Sequence, residues 1–412
     1  MKLFFTIVCS TFVLYSSAQR CGTADYIKSH PINKYTIQRT ETPTTVGRDT
    51  LKDEVIVVPV VVHVLYNTSD QNISDQQVLS QIISLNNDYR RQNKDAINTP
   101  LPFKNVAADT RIQFCLAKVD PNGRYTTGII HKFTTEPQFL ADDQMKFSSQ
   151  GGDDAWDASK YLNLWVCNLF GRTLGYAVLP GSPVEKDGVV IKYTAFGTMG
   201  TATAPYNKGR TATHEIGHWL GLKHPWGDSS CGDDGIADTP PQEAANTNCP
   251  SFPHTSSCSI NSYGDMFMDY MDLTDDGCMN MFTEGQKAEM RSLFALGNPR
   301  NSFLNSVVCD SSNAQGGPLP KDTGVSTLKV IIYPNPFNSI INIASNKDSG
   351  FVGKTLNLYT ITGKLVLTKN IQSQNTILHA EGLPSGIYIL KIEGKNGGMV
   401  YKLIKQAGAT GN

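Results

Sequence analysis

The chain has 412 residues, with 36 lysines and arginines against 37 aspartates and glutamates, and 40% of it is hydrophobic. The near-cancelled charge gives no support for a nucleic-acid or acidic-membrane partner. At about 100–200 residues per domain, this length predicts two or more folded units with globular cores.

Residues 1–18 read as a signal peptide. Lys2 precedes an apolar run from Leu3 to Tyr15, and Ser16-Ser17-Ala18 follows as a small-residue cleavage site. The run is too short for a permanent membrane span, so a soluble, exported protein is expected. Cys9 lies inside the run behind Val8, which argues against a lipid anchor. Export puts the eight other cysteines where disulfides persist.

Residues 19–54 are polar, carry little apolar periodicity and hold the isolated pair Cys21-Gly22. They read as a prosegment ahead of a catalytic unit over 55–310. That unit begins at Val55 with VIVVPVVVHVLY, a run too β-branched and continuous for anything but a buried strand. His63 within it is expected to be a core residue rather than a ligand. Ser74 predicts the cap of a helix with Val78, Ile82, Leu85 and Tyr89 on one face. Strands are expected over 111–119, 161–169 and 187–193, with Gly175-Tyr176-Ala177 before the last. The fold class is therefore α/β, a mixed sheet with an active-site helix packed on it.

That helix, starting near Thr211, carries the most informative residues. His214-Glu215-Ile216-Gly217-His218-Trp219-Leu220-Gly221-Leu222-Lys223-His224 follows the pattern HExxHxxGxxH. His214 and His218, four apart, project from one helical face and can grip one ion. Gly221 can take positive φ, ending the helix and bringing His224 round as a third ligand. Three neutral ligands leave one position of Zn²⁺ open, as in catalytic sites. Glu215 is placed to be general base toward a metal-activated water. A structural zinc site would not need that base. This argues against the rival reading, an inactive secreted binding protein or adhesin on a dead protease scaffold.

Cys231, Cys249, Cys258 and Cys278 cluster after the motif and predict two bridges, with three pairings open. Residues 311–327 read as a linker rich in Ser, Gly and Pro. Beyond it, 328–412 shows short alternating runs at 328–337, 339–344, 354–359, 364–368, 386–392 and 399–404, the pattern of a small all-β sandwich.

The extended histidine motif resembles that of the metzincin zinc endopeptidases. The stretch from Tyr270 through Met271 to Cys278 and Thr283 resembles the pappalysin family among them, with Met271 in the turn beneath the metal. The resemblance implies a latent precursor, protein or peptide substrates and a monomer. It implies the pairs Cys231–Cys258 and Cys249–Cys278. It also implies a calcium ion on the loop from Cys231 to Pro240, with side chains of Asp234 and Thr239 and carbonyls of Asp233 and Ala237 as ligands. One departure stands out. The family has a tyrosine two residues after the methionine, where this chain has Leu273. Either Tyr270 substitutes from a shifted turn, or zinc and backbone donors act alone.

Relatives with a short prosegment are held latent by a thiolate on zinc, which implies that role for Cys21. The competing reading pairs Cys21 with Cys115, Cys167 or Cys309. Asp275 and Asp276 lie where similar enzymes shape the pocket for the residue after the cut, implying a preference for Arg or Lys. An edge strand over 174–179 would pair with an extended peptide. The segments Tyr333-Pro334-Asn335-Pro336-Phe337, Leu383 to Tyr388 and Lys402 to Gln406 resemble the sorting domain of type IX secretion. That likeness implies passage through the periplasm and outer membrane on the type IX machinery.

Overall fold

A computed structural model describes residues 20–30, 54–259, 263–314, 330–333, 337, 339–345, 351–373, 375–393 and 398–405. The expected signal peptide, most of the prosegment and linker, and Pro334–Pro336 and Gln406 of the sorting motifs lie outside the described residues.

A short helix, α1 (Thr23–Ser29), precedes the first sheet. Strand β1 (Ile56–Tyr66) is its spine, and nine of its eleven residues are buried. The burial divides by parity, as a pleated strand requires. Val58, Val60, Val62 and Val64 enter one core, while Val61 and Leu65 enter two clusters on the opposite face. Each such side chain contributes about 1.5–3 kcal/mol on burial, so covering both faces selects a continuous apolar run.

Helix α2 (Asp75–Tyr89) follows, and the Ser74 side chain accepts from Gln77 N at 3.2 Å. Strands β2 (Ile112–Leu116), β3 (Ile129–Phe133), β4 (Leu162–Cys167), β5 (Gly175–Ala177) and β6 (Val189–Lys192) complete the sheet. Its order is β2-β1-β4-β6-β5, with β3 pairing the second half of β1. All pairs are parallel except β5 with β6. Helix α3 (Arg210–Trp219) shares a core with α2. Val78, Ile82 and Leu85 meet Ala212, Ile216 and Trp219 there, and the Tyr89 hydroxyl donates to Thr213 O. Helix α4 (Glu284–Ser292) starts with a capping box between Thr283 and Gln286.

Two features differ from the sequence-based expectations, strand β3 and the start of the linker, and the open pairing of Cys115, Cys167 and Cys309 is resolved. Strand β3 was not expected: it is half-exposed, so no continuous apolar run marks it. Cys115 is bonded to Cys309, clasping β2 to the end of the unit, and Cys167 is a buried free thiol. The linker begins later than residue 311. Ser311–Asn313 form a 3₁₀ turn, and Ala314 packs with Val119, Tyr161 and Val308. His63 is fully buried, with Asp153 at 2.7 Å and Asn163 at 3.1 Å on its two ring nitrogens.

The C-terminal region forms two antiparallel sheets. One has the order β10-β9-β12-β13, from β9 (Thr355–Thr360), β10 (Leu365–Asn370), β12 (Gly386–Ile392) and β13 (Met399–Lys405). The other runs β11-β8-β7, from β7 (Val330–Tyr333), β8 (Ile340–Ser345) and β11 (Asn375–His379). Ile341, Ile343, Leu358, Leu378 and Leu390 share their core. Strand β11 has only Ile377 and Leu378 as apolar residues, which is why it escaped the alternation test.

Candidate active site

Helix α3 sets His214 and His218 on one face, and Gly221 at φ +87° turns the chain back so that His224 meets them. The Nε2 atoms lie 3.1 Å (His218–His214), 3.1 Å (His218–His224) and 3.3 Å (His224–His214) apart. On the far side of each ring, Nδ1 faces an oxygen: Tyr270 O at 2.7 Å, Leu222 O at 2.8 Å and an Asp228 carboxylate oxygen at 2.5 Å. Those partners fix the proton on Nδ1, so three Nε2 lone pairs point at one another. Without a cation this is repulsive. Burial and the neighbouring imidazoles hold His214 well below its ordinary range, and burial with His224 lowers His218 to about 3. Neutral imidazoles are what a metal takes. A tetrahedral zinc with ligands at about 2.0–2.1 Å needs nitrogens about 3.3 Å apart, and the cage fits.

The fourth corner is Cys21. Its Sγ is 3.5 Å from His218 Nε2, and the four donor atoms lie within 4.8 Å of one another. Burial, then Glu215, pushes this thiol well above its ordinary range, so ligation as thiolate needs the charge of an ion in the cage. Cys21 forms a parallel bridge with Gly175, Gly22 N donates to Gly175 O at 2.8 Å, and Leu174 N donates to Arg20 O at 3.2 Å. The segment thus lies along β5, the expected edge strand.

Glu215 is also covered. Its Oε2 accepts from the Thr23 hydroxyl at 2.7 Å, and that hydroxyl accepts from Ala177 N at 2.9 Å. The other carboxylate oxygen has no protein partner among the described residues. Burial raises Glu215 to about 7.

Met271 lies under the helix, where a Cβ on Gly217 would strike its sulfur. Asp269 fixes the turn by accepting from Met271 N at 2.7 Å and from the Gln286 side chain at 3.0 Å. Tyr270 turns away from the histidines. Its hydroxyl donates to Asp88 at 2.9 Å in the core, which excludes it as the substitute for a tyrosine at Leu273.

The acidic pair divides. Asp276 is fully buried and binds Arg20 Nη2 at 2.6 Å, while its other oxygen accepts from Lys208 N at 2.7 Å. Arg20 Nη1 donates to Thr274 O, and the guanidinium lies 5.1 Å from the Tyr206 ring centre. Asp275 is half-exposed, and its backbone N donates to Asn248 O at 2.9 Å. Only Asp276 reaches the guanidinium. The loop is held by Cys249–Cys278, and Cys231 is bonded to Cys258.

In the acidic loop, both Asp234 oxygens and Ile236 O lie 2.7–2.8 Å from the Thr239 hydroxyl. One hydroxyl proton cannot serve three acceptors. Asp233 instead turns its carboxylate to Gly235 N at 2.7 Å, and burial with Asp233 nearby raises Asp234 to about 6.

Arg20, Thr23, Asp228 and Tyr26 were not singled out from sequence. Arg20 had a signal, a cation directly before Cys21 facing an acidic pocket. The rest depend on where a distant segment docks.

Residues 146–295 match the family model described as pregnancy-associated plasma protein-A, and 331–406 match that of a secretion system C-terminal sorting domain. The chain is similar to a structure of mirolysin in complex with compound 9, at 53% identity and TM-score 0.60, over 61% of this chain and 96% of that one. It is also similar to a promirolysin mutant from Tannerella forsythia, at 47% identity and TM-score 0.63, over 69% and 97%. An extracellular metalloprotease of Sordaria macrospora is 39% identical over 142 residues, 33% of this chain and 48% of the relative. One from Arthroderma otae is 27% identical over 305 residues, 70% and 95%. The chain spans about half the length of the first of these curated relatives. The chain belongs to the pappalysin family of metallopeptidases and carries a type IX sorting domain. That domain and the extracellular relatives assign it to the extracellular or cell-surface space.

Proposed function

We propose that this chain is a zinc-dependent endopeptidase, made latent and released by loss of the Arg20–Cys21 segment. The observation that carries the reading is the convergence of three Nε2 lone pairs beside Glu215, with Cys21 closing the cage. His214, His218 and His224 would hold the zinc, which when bound acidifies water and polarises the peptide carbonyl. Glu215 takes the proton of the attacking water and delivers it to the leaving amine. An extended peptide pairs along β5. Tyr270 is committed to Asp88 and so is not free to supply the hydroxyl donor that a tyrosine at Leu273 would have offered.

Asp276 selects Arg or Lys after the cut. Arg20 supports this because it fills the same pocket with a charge-assisted hydrogen bond. Asp275 contributes charge from the rim. The acidic loop binds calcium through Asp234, Thr239 and main-chain carbonyls, Asp233 and Ala237 among the candidates, and Ile236 joins them on geometry. The protein works as a monomer on protein or peptide substrates and travels on the type IX machinery.

The test is the full-length precursor and its Glu215→Ala form, each given denatured protein with and without a zinc chelator. Chelator-sensitive cleavage that Glu215→Ala lacks, with Arg or Lys leading the new N-termini, is expected. Equal background in both forms would return the inactive-scaffold reading. Separately, Cys21→Ala should mature faster, and an unchanged rate would reject Cys21 as the stopper.

A further inference from the structure

Five residues beyond Cys21, the prosegment plants Tyr26 in a polar-floored pocket on the sheet face opposite α3. Its ring stacks on Tyr176, with centroids 5.0 Å apart, and its hydroxyl donates to Asp143 Oδ2 at 2.6 Å. Asp143 takes three further donors: the Tyr176 hydroxyl at 3.0 Å, Lys146 Nζ at 2.8 Å and Lys186 Nζ at 3.2 Å. Lys146 is fully buried and lies 4.9 Å from the Tyr176 ring centre and 5.4 Å from that of Trp165. These groups bond one another without Tyr26, so the pocket persists when the prosegment leaves. Departure strips one donor from Asp143, whose two oxygens accept about four. A buried carboxylate lone pair then faces an aromatic slot.

We propose that this pocket is a subsite of the mature enzyme that takes an aromatic side chain, tyrosine above all, two to four residues before the cut. The inference rests on the peptidase reading above and extends it to the other side of the scissile bond. Its placement follows from the prosegment. Arg20 sits at the Leu174 end of β5 and Thr23 at Ala177, so the pocket for the residue after the cut lies at the first end. A productive peptide paired antiparallel to β5 sends its N-terminal half past Ala177. Tyr26 lies about one helical turn, ~5 Å, beyond Thr23, a rise an extended chain covers in about two residues. Side-chain recognition there needs only a ring to stack on Tyr176 and a hydroxyl to reach Asp143.

The experiment gives mature enzyme, released from the full-length protein, a peptide series with arginine fixed after the cut. Tyrosine, phenylalanine, leucine or alanine is placed two, three or four positions before it, and kcat/KM is measured for each. At one position tyrosine should exceed phenylalanine about ten-fold, as a hydrogen bond to a charged acceptor allows, with phenylalanine above alanine. In Asp143→Asn the tyrosine-to-phenylalanine ratio should fall toward one. Should that variant not fold, the ratio in the unmodified enzyme still decides. Tyrosine no better than alanine at all three positions, in peptides that are cut, overturns the subsite and leaves Tyr26 an anchor of the prosegment alone. A tyrosine preference that survives Asp143→Asn overturns it too. If no peptide is cut, the peptidase reading falls first and the subsite with it.

Discussion

The histidine cage and the Arg20 pocket sit side by side and are built in opposite ways. The cage takes its ligating side chains from eleven consecutive residues on one helix and one turn. The pocket joins Arg20 to Thr274 and Asp276, some 254 to 256 positions away, on a loop with little regular structure. Helical periodicity places His214 and His218, the Gly221 turn brings in His224, and Tyr270 O, Leu222 O and Asp228 orient the rings. The pocket geometry must be imposed from outside, by the Cys249–Cys278 bridge and by backbone donors from Lys208 and Arg210 to Asp276. One region is nearly local in sequence; the other is assembled from segments far apart.

That contrast can be broken from the cage side first. His218→Ala should abolish cleavage and zinc binding together, read as metal content and as kcat/KM at least about a thousand-fold down; retained stoichiometric zinc would refute the ligand assignment. Asp276→Asn should keep zinc and lose about a hundred-fold in kcat/KM on peptides with arginine after the cut, with far less effect on neutral ones. A uniform loss across both peptide types would mean Asp276 serves only the loop. Replacing Cys249 and Cys278 by serine opens a separation of 29 residues and should cost about 3 kcal/mol, seen as a lower Tm. If the pocket alone depends on the staple, arginine selectivity weakens while zinc content stays whole. Ser74→Ala is the mildest probe. It removes the α2 cap for about 1 kcal/mol and should leave selectivity untouched, checked by denaturant melts beside the peptide assay.

The same division explains what the sequence disclosed. Strand β1 announced itself because both faces are covered, and α2 because its cap and apolar stripe are local. Met271 stood out through its motif, and its sulfur lies against Gly217. Strand β3 was hidden because a half-exposed strand need not be apolar, and strand β11 because only Ile377 and Leu378 in it are apolar. Tyr270 was a fair candidate for the missing hydroxyl until its partner Asp88, 182 positions away, became visible. Asp228 is four residues from His224, yet only the turn between them shows that its carboxylate orients that ring. Thr23 and Tyr26 look like any polar helix residues until the segment is docked.

Strand β5 is three residues long and ends its sheet, so its outer side offers unpaired donors and acceptors. Leu174 N, Gly175 O and Ala177 N are all taken by residues 20–23. Unshielded sheet edges recruit strands from neighbouring chains, and short or covered edges prevent this. Residues 20–23 therefore cover an edge that would otherwise be open to pairing with a strand of another chain. Loss of those four residues would uncover the same rim along which the proposed substrate pairs.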